Sequence, residues 1–166
     1  MTHLRTASIA DIAAIRSIAH AAWPAAYAAI LSPAQLAYML DLMYSEAALE
    51  EQMTAKGHRF LMAERDGHAV GFAAFEHGHG AVRSTRLHKL YALPIVKGTG
   101  VGSALLAGVE AAALSAGDAQ VELNVNRFNP TKAWYARKGF AVVRDEVIEI
   151  GEGFVMDDHV MVRALR

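Results

Sequence analysis

The chain has 166 residues, 54% of them hydrophobic and 20% charged, which suits one packed domain and excludes a disordered segment. Its 16 Lys and Arg against 17 Asp and Glu leave a net charge of −1, so no strongly basic face invites nucleic acid or an anionic membrane, and neither is expected as a partner. There is no cysteine, which excludes disulfides, thiolate nucleophiles and Cys-based metal sites; with no apolar signal core and no run of ~18 apolar residues, a single soluble, cytoplasmic domain over 1–166 is expected.

Ser8, followed three residues later by Asp11 and then by Ile12, Ile15 and Ile18 at helical spacing, predicts a capped first helix that Pro24 ends. Ser32-Pro33 opens a second helix with Leu36, Met39, Leu40 and Met43 on one face, and a third covers 45–56 until Gly57. The period then changes. Apolar runs at 59–64 and 70–75 flank Asp66-Gly67, a hairpin signal. His77-Gly78-His79 falls in a looser stretch, with both imidazoles on one strand face but no third ligand at metal spacing, so solvated loop histidines and no metal are expected. A third strand over 85–93 ends at Pro94. A helix over 100–115, an alternating strand over 121–125, a helix over 130–138 closed by Gly139, and a hairpin of 140–150 with 154–162 complete the chain. One strand–helix–strand crossover in a mostly antiparallel set predicts an α/β fold with a mixed sheet of about six to seven strands and helices on both faces.

Lys97-Gly98-Thr99-Gly100-Val101-Gly102-Ser103 lies between a strand end and a helix start. Glycine there allows positive φ and close approach to the amides, while the helix N-terminus offers free N–H groups and partial positive charge, which suits phosphate or pyrophosphate. The P-loop's Gly-Lys-Ser/Thr is missing, and the dinucleotide fingerprint fails because its sixth position is Ser103. A Gly-rich turn without a ligand is the bland alternative.

The segment Leu90-Tyr91-Ala92-Leu93-Pro94, followed by Lys97-x-x-Gly100-x-Gly102, resembles the strand and pyrophosphate loop of the GNAT-superfamily acetyltransferases, with Lys97 in place of the usual Gln or Arg. A second block, Asn129-Pro130 with Trp134-Tyr135 and Gly139-Phe140, is similar to the family's Asn…Tyr-x-x-x-Gly-Phe segment, and the element order fits over nearly the whole chain. More finely, Ser32-Pro33 with Met43-Tyr44-Ser45, and 151–158, resemble the bacterial PaiA-type polyamine acetyltransferases. The resemblance implies a GNAT-like fold, acetyl-CoA as cosubstrate, and acetyl transfer to a primary amine, whether small molecule, polyamine or peptide. Homodimers are common among such proteins. A non-catalytic acyl-CoA-binding module on the same fold is the alternative, and a misread nucleotide-binding domain the third reading.

For the chemistry, the absence of cysteine favours direct attack in a ternary complex over an acyl-enzyme. By the resemblance, Tyr135 faces the coenzyme sulfur and acts as acid to the leaving thiolate; its ordinary pKa of ~10 lies within about two units of a thiol's ~8.5. Packing beside Trp134 and Phe140 is the competing role. Backbone amides around Leu90, Tyr91 and Ala92 would serve the oxyanion and the pantetheine arm. Asn129 either bonds the coenzyme or caps the helix after it. For the general base, His88 shares a face with Leu90 and Ala92 by period two and has a suitable ordinary pKa of ~6.5, with a water chain as the alternative.

Overall fold

A computed structural model describes residues 1–165. The strands are β1 (His3–Thr6), β2 (Arg59–Arg65), β3 (His68–His79), β4 (Ser84–Ala92), β5 (Gln120–Asn126), β6 (Ala141–Gly151) and β7 (Phe154–Ala164). The helices are α1 (Ile12–Tyr27), α2 (Pro33–Tyr44), α3 (Glu46–Thr54), α4 (Val101–Ser115) and α5 (Thr131–Arg137). The sheet order is β1-β2-β3-β4-β5-β7-β6, with β4 and β5 parallel and every other pair antiparallel. This is the expected mixed sheet with helices on both faces.

Each face buries its own apolar set. One face carries Ala63, Ala73, Phe75, Leu87 and Val121 against Val101, Leu105 and Val109 of α4 and against Tyr135 of α5. The other carries Phe60, Met62, Phe72 and Ala74 against Ile15, Ile18 and Trp23 of α1, Leu40 and Tyr44 of α2, and Leu49 of α3. α4 lies so close to the sheet that a Cβ on Gly71 would meet Tyr91 O and Val101 Cγ1 at 3.0 Å. The capping signals act as read: Asp11 accepts from the Ser8 N–H at 2.8 Å, and Ser32 and Ser45 accept from the Gln35 and Ala48 amides at 3.1 Å.

Three expectations are corrected. First, a four-residue edge strand, β1, precedes the helices; it is too short to display alternation, and Arg5 fastens it to Glu64 and Asp11 at 3.0 and 2.7 Å. Second, Pro24 does not end α1, which runs on to Tyr27. A helical proline forfeits one backbone bond and costs ~3 kcal/mol; the last turn is nevertheless held by buried Trp23 packing in tilted contact on Tyr27, centroids 4.6 Å apart, and on Tyr91 at 5.7 Å. Third, β3 continues to His79, and its two histidines do not share a face. A register shift between Glu76 and His79, with Gly78 at φ 68°, reverses the alternation. His77 turns to Thr85 (2.8 Å) and Asp118 (3.4 Å), His79 to Glu76 and Glu122 (3.9 Å each).

Candidate active site

Past β4 the chain makes a tight turn at Pro94–Val96 and then takes positive φ at Gly98 (79°) and Gly100 (93°), the latter being the residue before α4. Among the described residues no side chain caps α4, so the first-turn N–H groups of Val101, Gly102 and Ser103 are left open with the helix dipole behind them. The loop is braced by a residue the sequence reading missed. Arg65, at the end of β2, donates to Thr99 Oγ1 and to Thr99 O, both at 2.7 Å. Thr99 in turn donates to Val96 O. Nothing local joins Arg65 to this loop; only the β2–β3 hairpin brings it there.

β4 and β5 pair only from Ser84↔Gln120 to Leu87↔Leu123, whereas β5 stays on β7 as far as Asn126↔Asp158. Beyond Leu87 the two strands separate. The cause is a bulge: Ala74 faces Lys89 and Phe75 faces Leu87, which leaves His88 as an extra residue on β4. Leu93 N–H donates to Val70 O at 2.8 Å. In an antiparallel ladder such pairs alternate, so Tyr91 and Lys89 also bond β3, and the N–H groups of Leu90 and Ala92 point toward the side β5 has left. The amides available beside the opening are therefore those of Leu90 and Ala92, while Tyr91 contributes its side chain.

The bulge also corrects the position of His88. Period two placed it with Leu90 and Ala92; the extra residue turns it to the opposite face, where Nε2 lies 2.9 Å from Glu76 Oε1 and the ring stacks on His58 at 4.1 Å and 13°. Burial, then the neighbouring cations Arg86 and Lys89, push its pKa down to about 3. His58, Glu76 and His88 hold three possible ligand atoms within 4.8 Å of one another. Two imidazoles stacked nearly parallel cannot both direct an in-plane lone pair at one ion ~2.1 Å away in this arrangement.

Tyr135 sits on α5, 7% exposed, edge-on to Trp134 at 5.0 Å and Phe140 at 5.6 Å. Gly139 at φ 95° ends the helix and Phe140 N–H returns to Tyr135 O at 3.1 Å, fixing the ring. Burial, and then the adjacent Tyr27, raise the phenol well above its usual range. The two-unit gap to a thiol read from the sequence is thus wider, and Tyr135 stays protonated as a hydrogen-bond donor. Asn129 does cap: its Oδ1 accepts from Thr131 N–H at 2.9 Å and from Thr131 Oγ1 at 2.6 Å.

On the other side of the opening lies a cleft of about 260 Å³ lined by α1, α2, β4, β5 and β7. Its walls include Trp23, Tyr27, Met39, Tyr44, Lys89, Tyr91, Asn124 and Asp158. α2 and the β6–β7 hairpin close one end, through Tyr38 Oη to Ile150 O (2.5 Å) and Gln35 Nε2 to Val155 O (2.7 Å). Gly151 takes φ 96° there, a backbone region that favours glycine, and a Cβ would also push on Tyr38 Oη at 2.6 Å. Tyr27 and Tyr91 share a 2.8 Å hydrogen bond. Asp158 is 3% exposed, and burial raises its carboxyl above the usual range while Asn124 Nδ2 donates to it at 3.2 Å. The sequence-derived residues thus divide: His88 and Tyr91 line the cleft, while the 97–103 loop, Asn129 and Tyr135 are not part of its lining.

Residues 28–156 match the family model described as the acetyltransferase (GNAT) domain. No curated protein sequence matches the chain. Among solved structures it is similar to the PaiA N-acetyltransferase of Thermoplasma acidophilum in complex with coenzyme A, at 25% identity and TM-score 0.81 over 99% of both chains. It is also similar to a GCN5-related N-acetyltransferase from Rhodopseudomonas palustris (21%, TM-score 0.85, 99% of this chain and 96% of that one). The ribosomal-protein-S18-alanine N-acetyltransferase of Escherichia coli shares the fold at 17% identity and TM-score 0.73, over 99% and 94%. No helix of the described residues is long and apolar enough to cross a membrane. With its family model covering most of the chain, and with the strand separation and uncapped glycine loop in place, the protein belongs to the GNAT acetyltransferases.

Proposed function

We propose that the protein transfers the acetyl group of acetyl-CoA to a primary amine, by direct attack in a ternary complex. The observation that carries this is the parting of β4 from β5 after Leu87, which frees the Leu90 and Ala92 amides beside the uncapped N-terminus of α4. Lys97, Gly98, Thr99, Gly100, Val101, Gly102 and Ser103 hold the pyrophosphate, chiefly through backbone N–H groups. Leu90 and Ala92 serve the pantetheine arm and the carbonyl oxygen that gains charge during attack. Asn129 bonds the coenzyme, in this reading, through the side-chain amide nitrogen that also meets the Tyr27 hydroxyl, its Oδ1 being engaged by Thr131. The acceptor occupies the cleft on the other side of the parting.

The proton leaving the amine falls to Asp158 in this reading. His88 holds a proton too weakly, at a pKa of about 3, whereas burial makes the Asp158 carboxylate a stronger base. The same burial lowers the pKa of an ammonium bound against it, so the gap between donor and acceptor narrows. Tyr135 donates a hydrogen bond to the departing sulfur. No acyl-enzyme is involved, since the chain has no cysteine. The coenzyme-bound neighbour supports the donor half of this reading, and the polyamine expectation of the sequence supplies one arm of the acceptor panel. The test is a thermal melt with acetyl-CoA, CoA, NAD and ATP, followed by CoA release over a panel of amines. Stabilisation by NAD or ATP alone refutes the coenzyme assignment; stabilisation by acetyl-CoA without turnover of any amine leaves the non-catalytic acyl-CoA module as the better account.

A further inference from the structure

Besides its tyrosines, four titratable side chains line the cleft, and two of them have a carboxylate beside them. Arg86 is paired with Glu122 at 3.0 Å, and His88 lies 2.9 Å from Glu76. Lys89 and Asp158 differ. Lys89 is 8% exposed, and its ammonium is held by two neutral groups: Gln52 Oε1 at 2.9 Å and the Tyr44 ring, 5.0 Å to the centroid. Gln52 is itself fixed, since Nε2 donates to Met43 O at 3.0 Å, so its carbonyl oxygen must face the lysine. Asp158, 3% exposed, is held by Asn124 Nδ2 and has no cation within salt-bridge distance among the described residues. Nor do the two pair with each other.

A buried charge without a counter-charge is costly, and both groups shift toward neutrality as a result. Burial takes Lys89 down to about 8 and lifts the Asp158 carboxyl. A third group completes the pattern. Asn124 directs Nδ2 at Asp158 and Glu146, both at 3.2 Å, which fixes the amide; its buried Oδ1 has no hydrogen-bond partner among the described residues. Beside Asp158 the cleft therefore holds a carboxylate and an unused carbonyl acceptor, and elsewhere on its wall a cation without an anion.

We infer that the acceptor is a small amine that also carries a carboxylate, of the free amino-acid class, with its ammonium at Asp158 and Asn124 Oδ1 and its carboxylate at Lys89. This rests on the acetyltransferase reading above and narrows it. One zwitterion supplies the charge each end lacks, whereas a polyamine would place cations against Lys89. A cleft of about 260 Å³ lies at the small end of ligand sites, matching a single small molecule rather than a chain of residues. The chemistry stays balanced: the ammonium's first proton passes to Asp158 and then to solvent, the neutral amine nitrogen forms the amide bond as the thioester C–S bond breaks, and the proton that the attacking nitrogen still sheds ends on the CoA sulfur.

The test is kcat/KM by CoA release for matched sets: a series of amino acids, their carboxamides, the corresponding decarboxylated amines, dipeptides, and putrescine and spermidine. Wild type should prefer the best amino acid over its carboxamide by at least about tenfold, the range of a hydrogen-bonded charge. Lys89→Met should compress that ratio below about threefold through KM, and Lys89→Arg should restore part of it. A melting temperature for Lys89→Met at or above that of wild type shows that it folds. Equal or better turnover of the carboxamides, decarboxylated amines or polyamines by wild type overturns the inference while keeping the acetyltransferase. So does a ratio unchanged in Lys89→Met. A preference for dipeptides over free amino acids overturns the free amino-acid assignment. Turnover of no amine removes the acetyltransferase reading and this inference with it.

Discussion

Replacing Tyr135 by Phe removes one oxygen and leaves the ring that packs on Trp134 and Phe140. Among the described residues no group hydrogen-bonds the phenol, so the folded protein loses no bond, and its stability should move by less than ~0.5 kcal/mol. The loss should instead appear in turnover. A hydrogen bond to an ionised sulfur contributes ~1.5–3 kcal/mol, which converts to a fall in kcat of about 10- to 150-fold. CoA release read with a thiol reagent suits this protein, because the chain has no cysteine and the product is the sole thiol. Burial raises the phenol above its ordinary value, so the hydroxyl keeps its proton across the assay range, and the wild-type to Tyr135→Phe ratio should stay flat from about pH 7 to 9.5. A kcat within twofold of wild type would return Tyr135 to a packing role. A melting temperature several degrees lower would refute the claim that the hydroxyl has no partner in the fold.

Arg65→Ala removes both bonds to Thr99, and CoA affinity measured by calorimetry should weaken about 3- to 30-fold with little change in kcat at saturating coenzyme. Asp158→Asn should lower kcat at least about 100-fold, yet melt no lower than wild type at pH 7. The sign follows from its raised carboxyl: the folded state binds the proton more tightly than the unfolded state, so the charged form costs stability as pH rises through that window, and the amide removes the cost. Lys89→Met should be more stable than wild type at pH 7 by about 1–3 kcal/mol in chemical denaturation. Here the folded pKa of about 8 lies below the unfolded ~10.4, so wild type regains stability between pH 8 and 10 and the advantage of Lys89→Met should shrink over that interval.

The elements proposed to hold the coenzyme are legible in the sequence because their signals are local. Gly98 and Gly100 announce positive φ, Pro94 ends the strand, and Asn129 to Phe140 spell one cap, one helix and one stop. Each of those signals acts within a few residues of itself, and the structure moves none of them. Even so, the supporting Arg65 was invisible, because its two bonds to Thr99 span 34 residues and depend on the β2–β3 hairpin. His88 was misplaced for a related reason. Alternation assumes an unbroken ladder, and a bulge on β4 announces itself only through the register of its neighbour β3.

The acceptor half has no such local spelling. Lys89 reads as a surface residue beside Arg86 and His88, and becomes informative only once α3 delivers Gln52 rather than a carboxylate against it. Asp158 sits in a run, Asp157-Asp158-His159, where only the pairing with Asn126 decides which acid is buried; Asp157 goes outward to Arg127 at 3.0 Å. Tyr27 joins Trp23 in the cleft because α1 continues through the very proline that sequence rules use as a stop. In the proposed reading, what chooses the amine is a difference between charges that found partners and charges that did not. That difference is a property of the packed chain alone, which is why one protein family can keep a recognisable coenzyme loop while its acceptor pockets diverge without a motif to mark them.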